Sequence, residues 1–501
     1  FVHLASYARW TREHPQIAPF MYMRSCLFIM LAAVLAFASC EEGNPLDNTA
    51  PDTRIFLDGI QLTGQARLNS VVKLHWSGED IDGYITGYEL SFNNTDWSLV
   101  TTQDSTFRFP INPGSDSTDV DFWVRAIDND GNVDPSPAYL NIPIKNAPPV
   151  AKIDTVKLIP DTVYSVFSGF WNVTDLDGQE TLDSVFVKIN NGDWFPLAAT
   201  VSFITIVPEN PGQVGTQGAR IFVGSNPEAE RNTLEGLVVE GENRLMLRGR
   251  DIAGTFSLID TSKSFYIKAQ NSDMLVIDDH TAAGPDNVLL PALSAVYPGY
   301  DYFELTSNIP PFWDPTFGKY LGLYDKVVWY SDGAENNAFG NQLFLEIAAN
   351  QLQLYLNQGG KLLISTPLPG GINTPERNGV SAIFGFSPMD SVSSSRGQAR
   401  MSIDSLLTPS PNFSLFPELK NENFIIGLDP FYAKDPSNIL YTAGLTRASG
   451  WTGPSTIAGI TLGSTGRTNQ VFFSVELHNF NKEPANLNAM LDQVLNQEFD
   501  W

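Results

Sequence analysis

Residues 324–366 constrain the fold more than any other stretch. YDKVVWYSD, a loop, NQLFLEIAANQLQLYLNQGG and KLLIST follow one another directly. The first and last pieces are short apolar runs, as expected of strands buried on both faces of a parallel sheet. Between them, Leu343, Phe344, Ile347, Ala348, Leu352 and Tyr355 repeat at the spacing of one helix face. The helix is expected to stop at Gly359-Gly360, because a left-handed cap position tolerates no Cβ without strain. Strand, helix, strand with short connections is a right-handed crossover.

The texture around this unit divides the rest of the 501 residues. From residue 271 onward, DMLVID reads as a first strand, residues 291–297 as a short helix opened by Pro291, and residues 301–305 as a second strand. Asp314-Pro315 has the chemistry of a helix start, and a short helix is expected near 380–384. Residues 386–465 read as an irregular insertion of loops and hairpins. QVFFSVEL then gives a last strand, and Leu487, Met490, Leu491, Val494 and Leu495 one face of a closing helix. Residues 271–501 are therefore expected to form an α/β, doubly wound parallel sheet of flavodoxin-like order.

Residues 52–270 are instead short alternating runs separated by Gly, Asp, Asn and Pro, the pattern of β-sandwiches. They also repeat. Trp76 lines up with Trp171, Asp80 with Asp175, Asp82-Gly83 with Asp177-Gly178, Trp97 with Trp194, Arg125 with Arg248 and Asp128 with Asp251. Two sandwiches, 52–146 and 147–270, are expected, joined at Asn146-Ala147-Pro148-Pro149. Residues 200–232 make the second copy longer by a Gly/Pro-rich excursion. Alternation should send the tryptophans to the cores. The first copy resembles a fibronectin type III or related immunoglobulin-like domain through Trp76, Gly87-Tyr88 and FWVRAIDNDG, with Phe122 where that family usually has a corner tyrosine. The second resembles it only broadly.

Chemistry is limited by what the chain lacks. Its two cysteines, Cys26 and Cys40, lie in the N-terminal apolar stretch, so the globular part has neither disulfide nor thiolate nucleophile. Residues 1–22 read as an upstream extension with the start of translation at Met21 or Met23. Residues 23–39 read as a signal peptide, since Arg24 precedes an apolar run too short to span a bilayer. Phe37-Ala38-Ser39-Cys40 resembles the lipobox of bacterial lipoproteins, with Phe37 where Leu is usual. That resemblance implies diacylglycerol on Cys40, a membrane anchor and an address at the outer membrane or cell surface. Residues 40–51 would then be a tether, and Glu41-Glu42 resembles a surface-export signal of Bacteroidetes lipoproteins. The formal charge of −26 argues against nucleic acid as a partner.

The C-terminal domain resembles the class I glutamine-amidotransferase-like superfamily, most of all its ThuA-like branch, through YDKVVW, YLNQGGKLLIS and VFFSVELH. That family has a cysteine after the strand corresponding to KLLIS and a His-x-Glu pair on the last strand. Here Ser365-Thr366-Pro367 stands at the elbow and Glu476-Leu477-His478 runs in reverse order, so glutaminase chemistry is not implied. Ser365 also lacks the G-x-S-x-G surroundings of a serine nucleophile.

Ligands of open parallel sheets bind beyond the carboxyl ends of the strands. Those ends should carry Asp278, Asp279 and His280, then Ser331 and Asp332, Ser365 and Thr366, and Glu476 and His478. His280, His478, Glu476 and Asp278 are expected to converge, as a polar site or a two-His carboxylate metal site. Asp279, Asp332, Ser365 and Thr366 are candidate ligand contacts. Asp80, Asp82, Asp128, Asp130, Asp175 and Asp177 could hold Ca²⁺, although Asp and Asn before Gly also build tight turns. Phe312-Trp313 and Trp451 could stack on sugars. The function expected is a lipid-anchored binding protein with a non-catalytic α/β domain, its partner an envelope protein or an extracellular glycan. The alternatives are a hydrolase of carbohydrate derivatives and a calcium-dependent adhesive protein.

Overall fold

A computed structural model describes residues 48–57, 67–112, 114–305, 316–335, 342–368, 380–393, 395 and 397–500. Cys26, Cys40, the expected signal peptide, Phe312-Trp313 and Asp314-Pro315 lie outside these residues. Among the described residues no helix is long and apolar enough to cross a membrane.

The first sandwich packs a three-stranded sheet, Asp52–Leu57, Val71–Glu79 and Asp104–Arg108, against a five-stranded one containing Ile85–Ser91 and Ser117–Asp128. Trp76 is 1% exposed, lies 6.1 Å from the Phe122 ring and donates its indole N–H to the Thr102 carbonyl at 2.9 Å. Burial of so large a ring is affordable because its one polar atom is paired. The Tyr88 hydroxyl accepts from the Gly78 amide at 3.0 Å.

In the second sandwich, a five-stranded sheet faces a four-stranded one across Trp171, Val187, Ile206, Ile221 and Leu247, all nearly or fully buried. The Gly/Pro-rich excursion is ordered. Phe203–Pro208 and Gly215–Val223 pair antiparallel, because the apolar FITIVP and ARIFV segments, buried over most of their length, outweigh the turn residues between them. This sandwich also shares a core with the following domain. Val166, Val207 and Phe222 join the cluster that contains Phe317, Tyr320 and Leu321, and Tyr164 meets Phe303 edge-on at 4.8 Å.

Among the described residues the C-terminal sheet has nine strands: β1 (Met274–Asp279), β2 (Asp301–Glu304), β3 (Lys326–Ser331), β4 (Lys361–Ser365), β5 (Leu406–Pro409), β6 (Leu419–Lys420), β7 (Ile439–Ala443), β8 (Thr456–Leu462) and β9 (Thr468–Phe473). Across the sheet they run β2-β1-β3-β4-β9-β8-β7-β5-β6. The first five are parallel and the last four antiparallel. A wholly parallel sheet is thus corrected: the segment expected to be irregular supplies β5 to β8, whose short runs such as TIAGITL pair with one another and with β9.

Among the described residues six α-helices accompany the sheet: α1 (Asp286–Val296), α2 (Gly318–Leu321), α3 (Phe344–Ile347), α4 (Ala349–Asn357), α5 (Val380–Phe386) and α6 (Pro484–Asp492). Period-two alternation sorts β1 between two cores. Leu275 and Ile277 face α2 to α5, while Met274 and Val276 face α1 and α6, and all four are fully buried. Pro291 does not open its helix. The first turn starts five residues earlier, at Asp286, and Pro291 sits inside. The expected long helix is interrupted at Ala348 and ends as foreseen, with Gly359 at φ 94°. At Gly360 a Cβ would meet the Tyr355 ring at 2.3 Å, so the turn back into β4 requires glycine.

Candidate functional site

In-register parallel pairing aligns Asp279 with Ser331, Tyr330 with Ser365, and Ser365 with Phe473. The chain segments leaving β1, β3, β4 and β9 therefore meet at one edge of the sheet.

Three of the four residues expected to converge do so. Among the described residues, His280, Glu476 and His478 bring donor atoms within 4.8 Å of one another. His280 Nε2 lies 3.4 Å from Glu476 Oε1, and the two imidazole rings stand edge-on with centroids 5.8 Å apart. Glu476 is held from behind, its Oε2 accepting from Asn479 Nδ2 at 2.9 Å. His478 lies in the short turn Leu477–Phe480 that follows β9. On the other side of His280, Nδ1 accepts the Ala282 amide at 3.0 Å and lies 3.8 Å from Asp332 Oδ2.

Asp278 is the correction. One of its oxygens accepts the His280 backbone amide at 3.0 Å and the other the Tyr302 hydroxyl at 2.5 Å. It fixes the chain at His280 and does not join the donor cluster, because it is turned toward Tyr302.

Burial opposes charge on His280, but the adjacent Glu476 and the fields of Asp332 and Asp278 outweigh it and hold its pKa above 6.5. His478 shifts the opposite way, lowered first by burial and further by His280, against the pull of Glu476. Charging His280 also costs the Ala282 hydrogen bond, since a protonated Nδ1 cannot accept.

The remaining candidates are committed elsewhere. Asp332 accepts the Thr281 amide at 3.0 Å and the Thr281 hydroxyl with one oxygen, and the Ala334 amide at 2.9 Å with the other. Asp279 is buried beneath the site, its carboxylate accepting Trp329 Nε1 at 3.1 Å, and burial pushes its pKa up to about 7. Ser365 donates to the Val475 carbonyl at 3.0 Å and accepts the Leu477 amide at 2.9 Å. Thr366, 1% exposed, donates to the Pro367 carbonyl. Trp451 packs against the α1–α6 core, with the Arg447 guanidinium 4.9 Å from its ring.

The aspartates of the sandwiches act largely in turns. Asp128 accepts the amides of Asp130 and Asn132 at 2.8 Å each, and both Asn48 and Asn132 side chains on its second oxygen. Asp82 accepts the Thr49 amide, and Asp80 the Asp82 amide at 3.4 Å. Asp130 takes part through its backbone amide. In the second copy, Asp175 accepts the Asp177 amide and Asp177 the Ala147 amide, both at 2.9 Å.

Sequence inspection missed Tyr302, Trp329, Ala282 and Asn479, which position the candidate residues. Tyr302 and Trp329 were visible as strand residues; nothing local marks Ala282 or Asn479.

No known family's sequence pattern matches the chain, and no curated protein matches it in sequence. Among solved structures, it is similar to the Clostridium thermocellum CbhA fibronectin(III)-like modules at 12% identity and TM-score 0.17, over 43% of this chain and 94% of that one. A two-domain fibronectin type III segment of chicken tenascin matches at 11% identity and TM-score 0.19, over 44% and 99%. Carbohydrate-binding modules of the β-sandwich superfamily match at 14% identity and TM-score 0.17, over 40% and 60%. The neighbours are fibronectin type III-like and related β-sandwich modules, and scores this low carry no inference about ligand or activity.

Proposed function

We propose that the chain is an exported binding protein, anchored through lipid on Cys40, in which a flavodoxin-like, amidotransferase-like domain recognises a partner without covalent chemistry. The strand order β2-β1-β3-β4-β9 supports the flavodoxin-like assignment. One observation carries the non-catalytic reading: the Ser365 hydroxyl, at the elbow after β4, is spent between Val475 and Leu477. A nucleophile needs a neighbouring base and free access to a carbonyl or phosphoryl centre, whereas this hydroxyl fastens two backbone groups. An extracellular glycan or an envelope protein fits an acidic, half-buried site of imidazole and carboxylate groups at a strand edge.

Fluorophosphonate labelling of the full chain tests this. Absence of an adduct at Ser365, together with glycan or envelope-protein binding that weakens in His478→Ala, is the expected result. A Ser365 adduct would refute it. Membrane fractionation of Cys40→Ser tests the anchor, with release into the soluble fraction expected.

The hydrolase alternative draws on a separate observation, two imidazoles beside one carboxylate with pKa values displaced in opposite directions. Turnover of chromogenic sugar esters, lost in His280→Gln and His478→Gln, would favour it over simple recognition.

A further inference from the structure

We propose that His280 Nε2, Glu476 Oε1 and a ring nitrogen of His478 form a three-ligand site for a divalent first-row transition ion such as Zn²⁺. Two imidazoles and a carboxylate are the donor types that suit these ions. The spacing fits. With metal–ligand bonds of about 2.0–2.2 Å, two ligands of a tetrahedral ion stand roughly 3.3–3.5 Å apart, and His280 Nε2 lies 3.4 Å from Glu476 Oε1. Nε2 is buried there without a well-aligned hydrogen-bond partner. A buried ring N–H left this way is costly, and the cost is removed if the nitrogen gives up its proton and becomes a ligand.

The surroundings are those of a supported ligand set. Glu476 presents one oxygen to His280 while Asn479 holds the other, the one-oxygen arrangement a compact ion accepts. Asp332 stands 3.8 Å from His280 Nδ1, where a carboxylate can take the second ring proton. Without an ion, Nδ1 is engaged by the Ala282 amide, so the neutral ring carries its proton on Nε2. Ion binding transfers that proton: Nε2 becomes a ligand, Nδ1 gains the hydrogen, and the ring exchanges Ala282 for Asp332 as its partner. No net proton is consumed. With three protein ligands, a fourth position remains for water or for an oxygen of a bound molecule. The ion would thus serve the recognition role proposed above, but its presence does not depend on that role.

The test uses the full chain, stripped with chelator and titrated with Zn²⁺ alone and Co²⁺ alone by calorimetry and visible absorption. One equivalent of Zn²⁺ is expected, with Co²⁺ giving the intense bands of four-coordination. His478→Ala and Glu476→Gln should lose at least about 100-fold in affinity, and Asp332→Asn about 10- to 100-fold. His75→Gln, in the first sandwich, should bind as the parent does. If the ligand variants fail to fold, the Co²⁺ form of the parent still decides, since two paramagnetically shifted imidazole N–H signals are required. Absence of stoichiometric binding, survival of binding in His478→Ala, or fewer than two such signals would overturn the site. Partner binding by a protein that takes up no stoichiometric Zn²⁺ or Co²⁺ would leave the recognition proposal standing while this one falls.

Discussion

The backbone amide of Ala282 donates to Nδ1 of His280 at 3.0 Å, and this bond sets which ring nitrogen faces the carboxylate of Glu476. A neutral imidazole has one donor and one acceptor nitrogen. With Nδ1 accepting, Nε2 carries the proton. The bond follows from the tight turn after β1, where Asp278 also takes the His280 amide.

In metal-free protein in alkaline buffer, His280 is therefore expected as the Nε2–H tautomer. Long-range ¹H–¹⁵N correlation of the ring nitrogens reads this directly. A Nδ1–H tautomer under those conditions would show that the Ala282 bond does not govern the ring.

Asp175 gives the pH prediction. It is 8% exposed, one of its oxygens is buried without a hydrogen-bond partner, and burial, reinforced by Asp177 and Asp251, raises its pKa above 3.8. In the unfolded chain the carboxyl ionises first, so the folded state loses stability as pH rises from 3.8 through the raised value, and the penalty is constant above it. Asp175→Asn removes the penalty. Its melting temperature should match the parent at the acidic end and exceed it at neutral pH. The same pair of proteins tests calcium: stabilisation of the parent by Ca²⁺, abolished in Asp175→Asn, would mark a cation site and reverse the expected ranking.

Periodicity made β1, β3, β4 and the α3–α4 region readable, since both faces of these strands are buried and the helix keeps one apolar stripe. It also placed His280, Glu476 and His478 at the right edge, because parallel strands in register present their carboxyl ends together. Side-chain direction was not readable. Asp278 and His280 are two residues apart on one strand end, yet one turns to Tyr302 and the other to Glu476. Strands β5 to β8 were not resolved individually because β5 and β6 are at most four residues long, too short to show an alternation. The shared core of the second sandwich and the α/β domain was hidden because Phe222 reads as an ordinary strand residue until the segment carrying Lys319, 3.8 Å from its ring, is folded against it.

Ser365 is expected to be a structural residue. Ser365→Ala would leave the Val475 carbonyl and Leu477 amide without this partner in a site 3% exposed, at a cost of about 2–4 kcal/mol for two such groups. Urea unfolding should show this loss. A variant as stable as the parent would mean that the hydroxyl is free for another purpose.

The repeat pairs Trp97 with Trp194 and Arg125 with Arg248, and in the folded chain each arginine lies over its tryptophan, at 4.0 Å in the first sandwich and 4.3 Å in the second. These tryptophans are half-exposed, not core residues as alternation suggested, because the ring packs under a guanidinium instead of between the sheets. The two pairs should differ in strength. Arg125 is also held by Glu89 at 2.6 Å, which shares its charge. Arg248 has Phe256 at 4.0 Å as a second ring, its Nε is buried without a hydrogen-bond partner, and burial lowers its pKa. Attraction to a ring face grows as the cation loses water. Double-mutant cycles with Trp→Leu and Arg→Met should give a coupling of about 1–2 kcal/mol for Trp194–Arg248 and about 0.5–1 kcal/mol for Trp97–Arg125. Equal couplings, or a larger one in the first sandwich, would show that the neighbouring carboxylate strengthens the stack and that dehydration of Arg248 does not.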